Sequence, residues 1–440
     1  MTSAHSFFLK TPPLKLFFKA AIPGAVGMIA SNIYFSLEML LVGRFLGQTA
    51  FAGGNLAMPL LLIAYAVADM IAVGSSIAIA IKLGEGRKEE ADRLFTTAVI
   101  TASLASTLTS LAITLSGPWL FSLMGAGDAL TKEAMTYLWV YTLFIPLTSL
   151  VFVFDNYLRI SGWVRFSMVM DIAMAFMCLS FEFLFLYVLK RGIGYAALGT
   201  SLGMSITCII SMLPFIKGRM PLKFVHPGKV TATLGEIIKQ GFPSFLNNTS
   251  GRITSILMNT FILRLGGEGA VSIYGVFMNI DSIIVPGMYG VFDSLQPAIG
   301  YNWGAERKDR AKRIALCCAI ALCIMCLFCT FLIVSFPESI FSMFLKVDAN
   351  SLSLAVHAIT IMGLTYIVRW ISYSGQAYAS AIGRNKEATE ISIYSALLFP
   401  ILMMLVLFPL GIEGLWWVTP SSALLTAMAA TLIFLVKLRK

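Results

Sequence analysis

Acidic side chains stand inside the apolar stretches of this chain, where an ionised group is costly. Five of them lie in or near such stretches of the first half, with no base beside them: Glu38, Asp69, Asp155, Asp171 and Glu182. The second half places two acids and two bases in its apolar stretches: Asp281, Asp293, Arg252 and Arg369. A charge at the centre of a bilayer costs about 2.5–3.5 kcal/mol on insertion scales, so each such residue is a candidate for function. Carboxyls in this setting can carry a proton, hold a sodium ion or attract a cationic molecule.

The elements that position these acids are predicted to be twelve transmembrane helices. A spanning helix needs about 20 mostly apolar residues. Windows of that length occur near 20–43, 53–81, 93–121, 134–158, 164–189, 192–216, 241–263, 270–303, 312–336, 351–381, 388–410 and 412–436. The fold class is therefore an all-α polytopic membrane protein.

Composition supports this class and excludes several others. The 440 residues are 58% hydrophobic and 12% charged, with a mean hydropathy of +0.84, whereas soluble domains are about 45–50% apolar and about 25% charged. A soluble enzyme, a secreted disulfide scaffold and a nucleic-acid binder are excluded. The seven cysteines lie in apolar stretches and the three histidines are scattered, so no metal site is predicted. No catalytic or ATP-binding motif is present, so we expect neither an enzyme nor a cofactor beyond a coupling ion.

The distribution of basic residues predicts the orientation of the chain in the membrane. With the N-terminus in the cytoplasm, 24 of the 32 lysines and arginines fall on the cytoplasmic side, with Arg159 and Arg165 in one of its loops, and 6 fall on the other. The positive-inside rule then places both termini in the cytoplasm and the protein in the cytoplasmic (inner) membrane. The same distribution explains the net charge of +10 without a nucleic-acid partner.

An internal repeat with an offset of about 220 residues divides the chain into two halves. It aligns Pro23 with Pro243 and Gly84 with Gly304. We predict an N-terminal six-helix lobe at 1–216, a cytoplasmic linker at 217–240 and a C-terminal six-helix lobe at 241–440. Because six is even, both lobes have the same orientation and are related by an axis along the membrane normal, with substrate bound between them. Alternating access follows from this arrangement; a purely architectural duplication is the other interpretation.

Three polar side chains are predicted to meet at one depth in the N-terminal lobe. Counted from the outer ends of their helices at 1.5 Å per residue, Glu38, Glu182 and Thr200 lie roughly 7–12 Å below the outer interface. Two carboxyls and a hydroxyl at that level could share a proton, hold sodium or attract a cationic drug. They could equally lock the lobe by hydrogen bonding.

Three segments resemble the multidrug and toxic compound extrusion (MATE) family. They are AIPGAVGMIASNIYFSLEMLLVGRFLG at 21–47, GIGYAALGTSLG at 192–203 and QPAIGYNWGA at 296–305. The resemblance covers essentially the whole chain from Pro23 onward. It implies a V-shaped pair of six-helix lobes that exports organic cations in exchange for protons or sodium.

The family pattern assigns an ion-coupling, cation-binding group in the N-terminal lobe. An acid in helix 1, an Asn and an acid in helix 5, and a Thr in helix 6 correspond here to Glu38, Cys178, Glu182 and Thr200, with Tyr34 one turn before Glu38. Both acids are Glu where the family usually has Asp, and Cys178 cannot supply the oxygen of an Asn. Since sodium prefers several oxygen ligands, the resemblance with these departures favours protons.

Other polar residues leave alternatives open. Asp69 and Asp171 either line the inward-open cavity or bond to neighbouring helices, and Asp155 and Asn156 line the cavity or meet water at the end of helix 4. Arg252 and Arg369 are expected to pair with Asp281 or Asp293 rather than to bind anions. Pro23 removes a helix hydrogen bond, which makes it either a hinge or part of the architecture.

Two transport functions are compatible with the sequence. The first is a monomeric secondary antiporter that exports organic cations or amphiphilic drugs and otherwise contacts only membrane lipids. The second is a flippase for a lipid-linked or amphiphilic substrate, which a cavity lined by arginine would favour.

Overall fold

The computed structural model describes residues 3–123, 126–227, 230–344 and 349–438, and over these ranges the chain is helical with no β-strand. The α-helices in these ranges are α1 Ser3–Lys10, α2 Pro13–Leu46, α3 Gln48–Gly84, α4 Lys88–Leu123, α5 Asp128–Thr148, α6 Leu150–Ile160, α7 Val164–Phe183, α8 Ile193–Ile216, α9 Val230–Asp293, α10 Gln296–Gly304, α11 Lys308–Ser335, α12 Pro337–Phe344, α13 Ala349–Gly363, α14 Tyr366–Ala381, α15 Asn385–Ile393, α16 Phe399–Leu407 and α17 Gly411–Ile433. Short π-helical or 3₁₀ turns extend four of them, at Leu184–Val188, Tyr394–Leu398, Phe408–Leu410 and Phe434–Leu438.

Glycines with positive φ separate helices that otherwise follow one another without a loop. Gly47 (φ 84°) divides α2 from α3, and Gly267 (φ 68°) breaks α9 into two helices. Gly411 (φ 69°) stands between α16 with its 3₁₀ turn and the body of α17. These positions favour glycine because a Cβ would strain the left-handed backbone.

Within the described ranges, ten helical stretches are long and apolar enough to cross a membrane. Predicted spans 388–410 and 412–436 form one of these stretches, Asn385–Lys437, which bends at Gly411. Predicted span 241–263 is the part of α9 before Gly267, which the ten do not include. A stripe of exposed leucines along α4 shows what faces the lipid: Leu104, Leu108, Leu111 and Leu115. The helices thus confirm a multi-pass membrane protein.

Buried apolar side chains form two clusters, one for each half of the chain. The first runs from Tyr34 to Leu222 and includes Ile237 of α9. The second covers residues 258–433 and also takes in α1 and the first turns of α2, from Phe8 to Ala21. The N-terminal turns of α2, up to Ala21, therefore pack on the C-terminal lobe. The rest of the helix, from Tyr34 onward, packs in the N-terminal lobe. The exact limits 1–216, 217–240 and 241–440 stay a prediction.

Glycines bring helices of the two lobes into backbone contact at the end that carries the basic loops. Gly24 contacts Gly290 and Gly74 contacts Gly241, while Gly84 lies against the backbone of Tyr301 and Gly304 against that of Ile81. A Cβ on Gly241 would lie 1.9 Å from the carbonyl oxygen of Met70, and one on Gly74 would lie 2.1 Å from that of Ile237. Gly84 and Gly304 are also aligned with each other in the internal repeat.

We expect Gly241→Ala to open this interface. Its methyl group would meet backbone atoms that no rotamer change can move aside, and overpacking of this kind costs about 1–3 kcal/mol. The melting temperature of the purified protein should fall. Gly275→Ala is the matched control, because it lies in the same α9 and a Cβ there has no atom within 4 Å. Equal melting temperatures for both variants would contradict the contact.

Candidate functional site

Glu38 lies at the centre of a hydroxyl cage inside the N-terminal lobe. Its side chain is completely buried. The hydroxyls of Tyr137 and Tyr141 donate to its Oε1 at 2.6 and 2.8 Å, and Tyr34 donates to its Oε2 at 3.2 Å. The carboxyl therefore has the hydrogen bonds that a buried polar group requires.

Thr200 connects this cage to the second carboxyl. Its hydroxyl is hydrogen-bonded to Oε1 of Glu182 and lies 3.3 Å from Oε1 of Glu38. It also accepts at 2.8 Å from Tyr34, whose single hydrogen is shared between Thr200 and Glu38. Oε2 of Glu182 is buried and has no hydrogen-bond partner among the described residues. The two carboxyls therefore contact the same hydroxyl, but Glu38 accepts hydrogen bonds at both oxygens and Glu182 at only one.

Helix geometry explains why these side chains meet. Tyr34 and Glu38 are four residues apart on α2, and Tyr137 and Tyr141 are four apart on α5, so each pair shares a helix face. Gly199 brings α8 against α7, since a Cβ there would lie 2.9 Å from the backbone nitrogen of Glu182. The close approach places Thr200 beside Glu182.

The structure confirms the predicted meeting of Glu38, Glu182, Thr200 and Tyr34. Cys178 lies beside them, and its Sγ donates to the carbonyl oxygen of Thr200 at 3.5 Å. Sequence reasoning missed Tyr137 and Tyr141, although their spacing within predicted span 134–158 was a usable signal. No Lys, Arg or His forms an ion pair with either carboxyl in the described part of the chain.

A second charged group lies lower in the lobe and corrects the sequence analysis. Arg159, assigned to a cytoplasmic loop, has a side chain that is only 2% exposed. It pairs with Asp155 at 2.8 Å and Asp171 at 3.5 Å, and donates to Ser294 of the other lobe at 3.2 Å. The prediction that the acids of the first half have no base beside them is therefore wrong for Asp155 and Asp171. Arg159 neutralises both of them and links the lobes.

The remaining predicted residues lie apart from the hydroxyl cage. Asn156 donates to the carbonyl oxygen of Phe152 at 2.9 Å within its own helix. Asp69 is half-buried on α3. Helix α2 continues through Pro23 without a break, and the hinge role stays a prediction.

In the C-terminal lobe, one of the two bases noted in the sequence forms an ion pair with an acid. Arg369 contacts Asp281 at 2.5 Å, and Tyr366 donates to the same carboxylate at 2.7 Å. This confirms the expected pairing for Arg369. Arg252 is exposed and forms no ion pair with the residues described, so the same expectation is wrong for Arg252.

A cavity of about 850 Å³ lies between the lobes, above the glycine contacts. Its lining comes from α2, α3 and α9: Asn32, Met39, Leu40, Gly43, Arg44, Phe51, Asn55, Met58, Leu62, Arg252 and Asn279. Asp69, Asp155, Asn156 and Asp171 are not among these lining residues. The volume is typical of sites for drug-sized molecules.

We expect Arg159→Gln to destabilise the protein strongly. It would leave Asp155 and Asp171 without their counter-charge, and breaking a buried pair costs about 3–5 kcal/mol. The melting temperature and the folded yield should fall, while the exposed neighbour variant Arg165→Gln should leave both unchanged. Adding Asp155→Asn and Asp171→Asn to Arg159→Gln should recover stability. A failure of that rescue would show that the arginine acts by packing alone.

Comparison with known proteins identifies the family. The chain is 22% identical over 437 residues to multidrug export protein MepA of Staphylococcus aureus (strain MSSA476), covering 97% of this chain and 94% of the relative. An outward-facing MATE transporter of the MOP superfamily superimposes with a TM-score of 0.91 at 20% identity, over 98% of this chain and 97% of the other. A MOP superfamily transporter from Pyrococcus furiosus, for which reverse polarity of the binding pocket suggests a different function, superimposes with a TM-score of 0.90 at 20% identity, over 100% and 99%.

These solved structures confirm the predicted fold of two helical lobes. The MatE family model matches residues 23–188 and 243–434, which is most of the chain and falls once in each half. The chain belongs to the MATE family, whose members are membrane transporters and not enzymes.

Proposed function

We propose that this protein is a secondary antiporter that exports amphiphilic drugs across the cytoplasmic membrane in exchange for protons. The observation that carries the proposal is the separation of two sites. One is a sealed pair of carboxyls, Glu38 and Glu182, inside the N-terminal lobe; the other is a drug-sized cavity between the lobes. The first suits a small ion and the second a larger cargo.

The hydrogen bonds made by the two carboxyls favour a proton as the coupling ion. Glu38 is surrounded by hydroxyls that donate to it, which suits an ionised carboxylate. Glu182 has one bonded oxygen and one bare oxygen, which suits the neutral, protonated form because a bare ionised oxygen costs more to bury. Thr200 lies between them and can turn its hydroxyl toward either one. A proton can therefore be held and released with little rearrangement.

Sodium fits the same group less well. The tyrosine hydroxyls point their hydrogens at Glu38, so their oxygens would have to turn before they could face a cation. The sulfur of Cys178 is a soft donor, whereas a hard cation prefers oxygen. These features support the proton.

Helix α2 supplies the connection between the two sites. It carries Glu38 and Tyr34 of the cage, contributes Met39 and Arg44 to the cavity, and packs on the other lobe at Gly24. A change of protonation that rearranges the Tyr34–Glu38 contact would alter how α2 sits between the lobes. Pro23, one residue before the Gly24 contact, is the proposed hinge.

The described conformation corresponds in this proposal to the outward-open state. The lobes touch at the end with the basic loops, which the positive-inside rule places in the cytoplasm, and the cavity lies toward the opposite end. Both termini are then cytoplasmic. Export requires the glycine contacts to separate so that cargo enters from inside.

A proton gradient should drive transport, and a sodium gradient at clamped pH should not. The test is dye uptake into proteoliposomes under each imposed gradient, with a panel of cationic, neutral and anionic amphiphilic dyes and protein-free liposomes as background. Uptake that follows sodium and ignores the proton gradient would overturn the assignment of the ion. If none of the dyes is taken up under either gradient, the proposal of antiport is overturned.

Glu38→Gln and Glu182→Gln should each abolish gradient-driven transport. Glutamine keeps the size and part of the hydrogen bonding but cannot titrate, so the melting temperature should stay near that of the wild type. Glu38→Asp and Glu182→Asp keep a titrating group with one methylene less reach, and partial transport should remain. The measurement is the transport rate against pH in proteoliposomes. Full, pH-dependent transport by both Gln variants would show that the carboxyls only hold the lobe together.

A further inference from the structure

The cavity between the lobes is lined by positive charge, whereas the hydroxyl cage surrounds a carboxyl. Arg44 enters it from the last turn of α2 in the N-terminal lobe, and Arg252 enters it from α9 in the other lobe. Both side chains are exposed, and neither forms an ion pair within the part of the chain that the structure describes. The lining residues that the structure describes include no carboxylate.

Among the described side chains, the acids considered around the cavity do not offset these two charges. Asp281, two residues after Asn279 on α9, is already paired with Arg369. Asp69 lies on α3 seven residues beyond Leu62, outside the cavity lining. Glu38 and Glu182 are enclosed in the N-terminal lobe with no exposed surface. A molecule in the cavity therefore meets a positive field, within the roughly 8 Å over which charges act at physiological salt.

The rest of the lining suits the body and the polar edge of an amphiphile. Met39, Met58, Leu40, Leu62 and Phe51 supply adaptable apolar surface, and methionine fills irregular contacts well. Three amides complete the lining, each donating one N–H to a carbonyl of its own helix at 2.9 Å: Asn32, Asn55 and Asn279. Each amide keeps a second N–H with which it can bind an acceptor.

We propose that this cavity binds amphiphiles that carry an anionic group (a carboxylate, sulfonate or phosphate) and that Arg44 and Arg252 bind that group from opposite lobes. The proposal rests on the function proposed above, since it names the class of cargo for the same cavity. Guanidinium groups are well suited to such oxyanions because they can donate two parallel hydrogen bonds. An organic cation would instead be placed between two like charges.

The placement of the arginines on different lobes also gives the cargo a role in the conformational change. Without cargo the two positive walls repel each other, which favours an open cavity. A bound anion attracts both walls and so favours the state in which the lobes approach at this end. A ligand shifts a conformational equilibrium only by binding one state better, and here the anionic group supplies that difference.

Binding of a matched pair of dyes tests the proposal. Fluorescein and rhodamine 6G share the xanthene ring system but are anionic and cationic, and fluorescence anisotropy gives the Kd of each for the full-length protein in phosphatidylcholine nanodiscs, with empty nanodiscs as background. We expect the wild type to bind fluorescein at least tenfold more tightly. Arg44→Gln and Arg252→Gln should each raise the Kd of fluorescein about tenfold, which is about 1.4 kcal/mol, since each removes a charge-assisted hydrogen bond to the anionic group.

Two further variants make the result specific. Arg264→Gln removes an exposed charge from the same helix outside the cavity, and it should leave both Kd values unchanged. Arg252→Glu should reverse the preference between the two dyes, which loss of folding could not do. Tighter binding of rhodamine 6G by the wild type would overturn the proposal. So would a fluorescein Kd that responds equally to Arg252→Gln and Arg264→Gln.

The source of the anion can be read from competition in the same assay. Displacement of fluorescein by lysophosphatidylglycerol but not by lysophosphatidylcholine would identify an anionic lipid headgroup as the ligand, which is the flippase function. Displacement by neither would identify a soluble amphiphile. The anisotropy assay imposes no ion gradient, so the wild type should bind fluorescein whichever ion, proton or sodium, drives its transport. Failure of anion binding is therefore distinguishable from failure of proton coupling.

Discussion

The cost of an unneutralised charge in the hydrocarbon region governs the arrangement of this protein. Every buried carboxyl must be paired, hydrogen-bonded or protonated, and the described residues use each solution at a different level. Asp155 and Asp171 surround Arg159 where the lobes meet, and Asp281 binds Arg369 in the C-terminal lobe. Glu38 and Glu182 have only hydroxyls. This pair can therefore change its protonation without breaking an ion pair, whereas the other acids named here cannot.

The two lobes contact each other through small residues and through one buried arginine. Gly74 and Gly241 allow backbones to meet, and such contacts drive helix association in a membrane because lipid supplies no hydrophobic force between helices. Arg159 adds a hydrogen bond to Ser294 across the same interface. The glycine contacts bring backbone against backbone, whereas Arg159 is a large side chain buried where the lobes meet. In the proposed transport cycle the glycine contacts can separate and re-form without the repacking of side chains.

Sequence patterns predicted what depends on a single helix and missed what depends on the contact between helices. Hydropathy and helix rise located Glu38, Glu182 and Thr200 at one depth, because both quantities are properties of one segment. Tyr137 and Tyr141 were not predicted because their role as donors to Glu38 depends on which helix they face. Arg159 was misplaced because the counting of loop charges takes no account of burial at a helix end. The polarity of the cavity needed the three-dimensional arrangement, since Arg44 and Arg252 are more than two hundred residues apart.

The separation of the two sites changes how exchange can work. If cargo and proton competed for the same carboxylate, the carboxylate would have to reach the cavity, yet Glu38 is fully buried behind tyrosines. Coupling must then pass through a structural element that both sites contact, and α2 contacts both. Arg44 lies six residues beyond Glu38 on this helix, which is about 9 Å along its axis. A rigid helix transmits a tilt over that distance without loss. In the proposed antiport, the proton sets the position of the helix, and the helix sets the position of the arginine that meets the cargo.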